Sequence, residues 1–327
     1  MNDRGENDLK YIPPQSPIAD PRWTLLAQGL ARVAFGLPRR TKLVLEGEEN
    51  LPSTPALFAP NHSHKFDFLP LRYLLLKRKM HLVTWIKARE FKDPRMAKVL
   101  WTMGNIPLSS RGFLISADFE SLVGRRPTEE EYRRLRACVD EGHSLPRGEV
   151  YERMLTTPRE MLGVSFDPGV MTYRQAQRGL YYRVMQGTLK LARECMGEGH
   201  HMHFYPQGAV SSRLTPGKVG VIEAALALDL PIIPVGISGC RETFVGQGAL
   251  TRKGVIRVEI GAPIHVDRAQ YGAGFRPFHP DDEDGFRELL QADADRVMAR
   301  INDLVDPAYR FSEEAEYDGK RGIARFY

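Results

Sequence analysis

The chain has 327 residues, 42% of them hydrophobic, with 46 basic against 41 acidic side chains and a net charge of +5. That is ample for one large domain or two modest ones whose core needs no disulfide or metal staple. Its three cysteines, Cys138, Cys195 and Cys240, are far apart and form no CxxC, which argues against a disulfide framework or a cysteine zinc cluster and suits a reducing cytoplasm.

The opening MNDRGENDLKYIPPQSP is polar, proline-bearing and mixed in charge, unlike a secretory signal or a transit peptide. WTLLAQGLARVAFGL (23–37) spaces Leu25, Leu26, Leu30, Val33, Ala34 and Leu37 near the helical period. It predicts an amphipathic helix lying on the protein's own body or on a bilayer surface, and no stretch reaches the roughly 18 apolar residues of a spanning helix. Basic clusters at 37–42 and 76–81 favour anionic partners. Strands are expected at 42–47, 56–61, 81–86 and 105–109, with helices at 67–79 and 94–103 between them. This alternation implies an α/β sheet flanked by helices, with functional groups at the strand ends.

The rhythm breaks from Gly112 to about Val170, which reads as an inserted helical region. Within it Thr128 and Glu131 stand at capping-box spacing ahead of a helix. A long helix is expected over 173–196, a strand running into a turn at 202–208, a helix at 217–228, strands at 230–238 and 254–264, and a last helix over 281–304. The domain reading is therefore an N-terminal segment 1–40, a catalytic-type domain 41–310 carrying the insertion at about 112–170, and a charged tail 311–327.

The densest chemistry lies in NHSHKFD (61–67). The pairs His62-x-His64 and His201-x-His203 are compatible with metal ligation by imidazole. The hydrolase pattern HxHxDH fails, however, because Phe66 and Asp67 occupy its last two positions. Alternatively, His62 and Asp67 form H-x4-D, in which a carboxylate orients an imidazole that acts as a general base. A structural reading also exists: Asp67 serves as an N-terminal charge for the following helix.

NHSHKFD resembles the NHxxxxD block of the glycerolipid acyltransferase family, typified by 1-acylglycerol-3-phosphate acyltransferases. Three further segments stand in that family's order: GNIPLSSR (104–111), FYPQGAVSS (204–212) in the place of FPEGTRS, and LPIIPVGIS (230–238). The resemblance covers roughly residues 40–112 and 175–265. It implies an acyl transfer from acyl-CoA or acyl carrier protein to a hydroxyl of a lysophospholipid or related lipid, with no further cofactor or metal. By the same resemblance His62 is the general base, Asp67 its orienting partner and Arg111 the group that holds an acceptor phosphate. The resemblance also implies substrate binding by Lys87 and Lys218, which match positions that tend to be basic, by Gln207 and Gly208 of the third block, and by Arg213. That block departs from the family twice: Gln207 replaces a glutamate, and Val210 replaces an arginine for which Arg213 is a displaced substitute. The departures leave open an altered acceptor or a catalytically inactive lipid-binding homologue, alongside the metal-dependent hydrolase. The resemblance further implies peripheral attachment to the inner face of a membrane from the cytoplasm, through helix 23–37 and the Arg39, Arg40 and Lys42 cluster. No nucleic-acid reading motif accompanies the basic clusters.

Overall fold

Short aliphatic and β-branched runs alternate with helical segments along the chain, and in the computed structural model they build a mainly parallel sheet covered on both faces. The structure describes residues 41–246 and 248–312, with Gly29, Phe35 and Ile323. The expected helix over 23–37 and the tail after 312 otherwise lie outside the described residues, as do Arg39 and Arg40.

The strands are β1 (Thr41–Glu46), β2 (Leu57–Pro60), β3 (Leu82–Lys87), β4 (Asn105–Leu108), β5 (Arg159–Met161), β6 (Val164–Phe166), β7 (His201–His203), β8 (Ile232–Ser238) and β9 (Gly254–Ile260). Among the described residues seven of them form one sheet in the order β1-β9-β8-β2-β7-β3-β4, while β5 and β6 make a separate antiparallel hairpin. Every pairing in the large sheet is parallel except β8 with β9. The central β2 is buried along its whole length, as a parallel strand covered on both faces must be.

The helices are α1 (Phe68–Leu76), α2 (Pro94–Thr102), α3 (Arg111–Val123), α4 (Glu129–Glu141), α5 (Glu149–Thr156), α6 (Tyr173–Gly197), α7 (Gly220–Leu228), α8 (Cys240–Thr243), α9 (Pro280–Gly285) and α10 (Arg287–Leu304). On one face of the sheet, Leu57, Val83, Met202 and Ile232 pack against α6, α7 and α10. On the other, Phe58, Ile233, Val235 and Val258 meet α1. Gly236 marks how closely α10 approaches, because a Cβ there would lie 2.5 Å from the Leu304 carbonyl oxygen.

Residues 111–166 contribute α3, α4, α5 and the hairpin, which share a core of their own with the first half of α6. Local chemistry starts these helices. Thr128 and Glu131 form a reciprocal capping box, as do Thr172 and Gln175 ahead of α6. Three elements differ from expectation. The single helix expected over 281–304 divides at Phe286, which leaves the helical region next to Gly285. The strand within 202–208 is short: it ends at His203 and runs into the expected turn through Pro206, which offers no N–H to a ladder, and the strand expected over 254–264 likewise stops early, at Ile260.

Parallel pairing places the C-terminal ends of β2, β3, β4, β7 and β8 along one edge. In open α/β sheets that edge is where sites form.

Candidate active site

The site grows from the end of β2. Just past Pro60, the buried Asn61 uses its side chain to extend the ladder: its Nδ2 donates to the Ile237 carbonyl at 3.0 Å and its Oδ1 accepts from the Ile237 N–H at 2.7 Å. This fixes the direction in which His62 leaves the sheet. The chain then turns and enters α1, and the Asp67 carboxylate folds back over the turn rather than capping the helix. Its Oδ2 accepts from the backbone N–H of Ser63 at 2.7 Å and of His64 at 3.1 Å. Asp67 thus stands at the N-terminus of α1 and also clamps the loop that carries His62.

His62 Nδ1 lies 3.1 Å from both Asp67 oxygens. The imidazole side chain is 16% exposed while Asp67 is fully buried, and among the described residues Nε2 makes no hydrogen bond. Sequence reasoning missed the third member, Tyr205. Its ring stacks on the imidazole with centroids 3.8 Å apart and planes 21° from parallel, and its hydroxyl donates to Asp67 Oδ1 at 2.7 Å. The signal was present in FYPQG, where a tyrosine stands two residues before Gln207. Burial alone would raise the Asp67 pKa, but the charge and hydrogen bond of His62, the Tyr205 hydroxyl and the His64 N–H together hold it below the usual carboxylate range. Burial first, then Asp67, push the Tyr205 phenol well above its ordinary value, so it remains a donor.

Beneath this group lies Arg72, a buried guanidinium bonded to carbonyl oxygens rather than to a carboxylate. It donates to the Leu82 carbonyl at 2.8 Å, to the Met103 carbonyl and to Asn105 Oδ1, tying α1 to the starts of β3 and β4. Desolvation lowers its pKa to about 10, which leaves it charged at neutral pH. Burial and the Arg72 charge depress His203 to about 3, so that His203 is a neutral partner of Thr84 Oγ1 at 3.1 Å. His201 falls to about 4, chiefly by burial. His64 turns away from His62, with Nε2 2.9 Å from the Gly246 carbonyl oxygen and its ring stacked on Phe244. The two His-x-His pairs therefore face different partners, and the described residues contain no group of three or more His, Cys, Asp or Glu side chains able to hold a metal.

Gln207 follows Tyr205 on the same turn and is 3% exposed. Its Oε1 accepts from the His62 backbone N–H at 2.8 Å, while its Nε2 donates to the Arg213 carbonyl and to Thr215 Oγ1, each at 3.3 Å. The expected contact with substrate is thus replaced by an internal staple, and the staple needs an amide: a carboxylate offers no donor to Arg213. Gly208, at φ 70°, closes the turn in the left-handed region, and a Cβ there would touch the Lys218 side chain at 3.6 Å. Lys218 and Lys87 are exposed near this edge. Arg213 points away, donating to the Pro307 carbonyl at 3.3 Å.

Arg111 opens α3 and is 9% exposed. Its guanidinium bonds Glu283 and, at 3.2 Å, Asp140, and it covers the Tyr181 ring at 5.2 Å. Two carboxylates occupy the fork expected to hold an acceptor phosphate, and the arginine joins α3, α4 and α9. Behind it, Glu223 accepts from the Phe278 N–H at 2.7 Å, holding that residue at φ 65°. Burial, reinforced by Glu283, pushes Glu223 up to about 8 against the Phe278 N–H and Arg111.

Two outcomes follow from these contacts. Gln207→Glu, although it restores the family's residue type, lowers stability by about 1–3 kcal/mol in chemical denaturation because its carboxylate faces the Arg213 carbonyl oxygen. Glu223 has a folded pKa above its ordinary 4.5, so its contribution to stability is complete below that value and is lost as pH rises toward 8. The Tm of the wild type therefore falls between pH 5 and 8 relative to that of Glu223→Gln, as scanning calorimetry across that range will read.

Comparison with known proteins bears on the same residues. No curated protein matches the chain. Among solved structures it is similar to the 1-acyl-sn-glycerophosphate (LPA) acyltransferase PlsC from Thermotoga maritima, at 13% identity over 84% of each chain, with a TM-score of 0.40. The family model described as Acyltransferase matches residues 42–142, the stretch that contains His62, Asp67 and Arg111. The matched stretch includes two of the four sequence blocks, 61–67 and 104–111, so residues 42–142 of the chain form an acyltransferase-family segment.

Proposed function

We propose that this protein transfers an acyl group from a thioester, either acyl-CoA or acyl carrier protein, to a hydroxyl of a lysophospholipid or related lipid. One observation carries the reading: the His62 imidazole is bonded through Nδ1 to the buried Asp67, while Nε2 has no hydrogen-bond partner among the described residues at the partly open sheet edge. Asp67 accepts the Nδ1 proton and thereby selects the tautomer whose Nε2 is basic. Nε2 takes the proton of the acceptor hydroxyl as its oxygen attacks the thioester carbonyl. The tetrahedral intermediate then collapses with cleavage of the carbon–sulfur bond, the departing thiolate receives the proton from the imidazolium, and the products are an ester and a free thiol. A positioned general base of this kind contributes about 10²- to 10⁴-fold.

The internal role of Gln207 supports an active enzyme over an inactive homologue, because the residue that departs from the family pattern holds the backbone of the base in place. With Arg111 bound to Glu283 and Asp140, phosphate recognition falls to Lys218, exposed beside Gly208, and to Lys87 at the end of β3. The metal-hydrolase alternative has no support in the separate partners of the histidine pairs.

Thiol release from a long-chain acyl-CoA, measured with and without a panel of lysophospholipids and other hydroxylated acceptors, tests the reaction. Acceptor-stimulated release is expected from the wild type and a loss of at least about 100-fold from His62→Ala; release that ignores both acceptor and mutation rejects the reading. In the same assay Tyr205→Phe keeps the stacked ring but loses the hydroxyl, and it is expected to lower kcat roughly tenfold with KM little changed.

A further inference from the structure

The helix α2 is unlike the others that flank the sheet, because none of its residues is buried. Leu100 and Trp101 are half-buried on the side facing the body, and Trp101 packs on the main core. Met96 and Val99, three residues apart and so on one side of the helix, are 49% and 41% exposed. An ordinary amphipathic helix places charge on its outer face. Here two large apolar side chains stand there instead.

They stand among basic groups. From 87 to 98 the chain carries Lys87, Arg89, Lys92, Arg95 and Lys98 against Glu90 and Asp93, five positive charges against two negative. Part of this charge is paired: Arg89 with Glu90 at 2.7 Å and Lys92 with Glu120 at 3.4 Å, while Asp93 caps the helix through the N–H groups of Arg95 and Met96. Arg95 and Lys98 form no side-chain pair among the described residues.

The position of this face follows from strand register. Phe58 of β2 pairs with His203 of β7, which pairs with Thr84 of β3. Two residues further along, Pro60 at the end of β2 is level with Ile86 near the end of β3, two strand spacings or about 10 Å to the side, so the loop that carries His62 and the turn that leads into α2 leave the sheet at the same edge. The segment leading into α2 therefore begins beside the opening at His62.

We propose that α2 and the turn before it form a docking face for an anionic lipid surface. The turn and the helix frame a wide, shallow depression of about 500 Å³ whose lining is mostly charged, with Arg89, Lys92 and Arg95 around Met96 and Val99, and an apolar tip of two side chains is too small to partition without help. Charge complementarity to acidic headgroups supplies that help, and shallow insertion of Met96 and Val99 adds to it. Docking in this way brings the edge that carries His62 to the headgroup layer. The inference goes beyond the proposed reaction, and its test does not depend on turnover.

The test is sedimentation of the full chain with phosphatidylcholine vesicles containing or lacking phosphatidylglycerol, at low and high salt. The wild type is expected to bind the anionic vesicles and to release them at high salt. Arg95→Gln with Lys98→Gln weakens that partitioning about 25-fold, roughly fivefold per charge, and Met96→Ser with Val99→Ser weakens it about tenfold. Thermal melts unchanged from the wild type show that the variants are folded, as their surface positions require. Vesicle binding that is the same in wild type and both double variants overturns the proposal, as does a wild type that binds no vesicle or is captured only by an acidic protein.

Discussion

A single buried carboxylate organises the site. Asp67 has no solvent contact, and an ionised group in that position is stable only if donors replace the water it has lost. It accepts from the His62 imidazole, two backbone N–H groups and the Tyr205 hydroxyl. These donors come from the β2 loop and from the turn after β7, so satisfying one charge also sets the position of both loops. Because hydrogen bonds to a charged group are each stronger than neutral ones, the orientation of His62 is secured by several bonds rather than by one. Below, Arg72 adds a positive charge held by carbonyl dipoles, and together with burial it keeps His203 neutral.

Two of the positions at which the resemblance implied contact with substrate, Gln207 and Arg111, make their side-chain bonds within the fold. Gln207 uses both ends of its amide within the protein, and only a residue with an acceptor at one atom and a donor at the other can bridge the His62 N–H and the Arg213 carbonyl. The change from glutamate thus has a structural reason, independent of the acceptor. Arg111 is held by carboxylates from α4 and α9, which are contributed by the insertion and by the C-terminal helices. Displacing the buried Glu283 and the part-buried Asp140 is more costly for an incoming phosphate than engaging an exposed lysine. The same connection couples the insertion to the edge of the sheet.

Residues 42–47, 56–61, 81–86 and 105–109 were legible as strands because their apolar runs are short, bounded by turns and separated by helical periods. The capping box at Thr128 and Glu131 was legible as a local pattern, because a cap involves only residues three apart. His62 and Asp67 were legible for the same reason: five residues and one turn separate them. The hairpin at 159–166 was not, since three-residue strands lack enough alternation to register. The division of the last helix at Phe286 was also hidden, because the apolar pattern continues through it.

The sequence by itself determined which residues could form a base with its orienting carboxylate, the α/β class and the order of the four blocks, all of which rest on neighbouring residues or on periodicity. Tertiary structure alone decided that Tyr205, 138 positions from Asp67, completes the group, that Gln207 and Arg111 face inward, and that Met96 and Val99 face outward. The physical reason is common to all of these. A polar group acquires its role from whatever shares its buried volume, and strand order and helix packing, rather than distance along the chain, choose those neighbours.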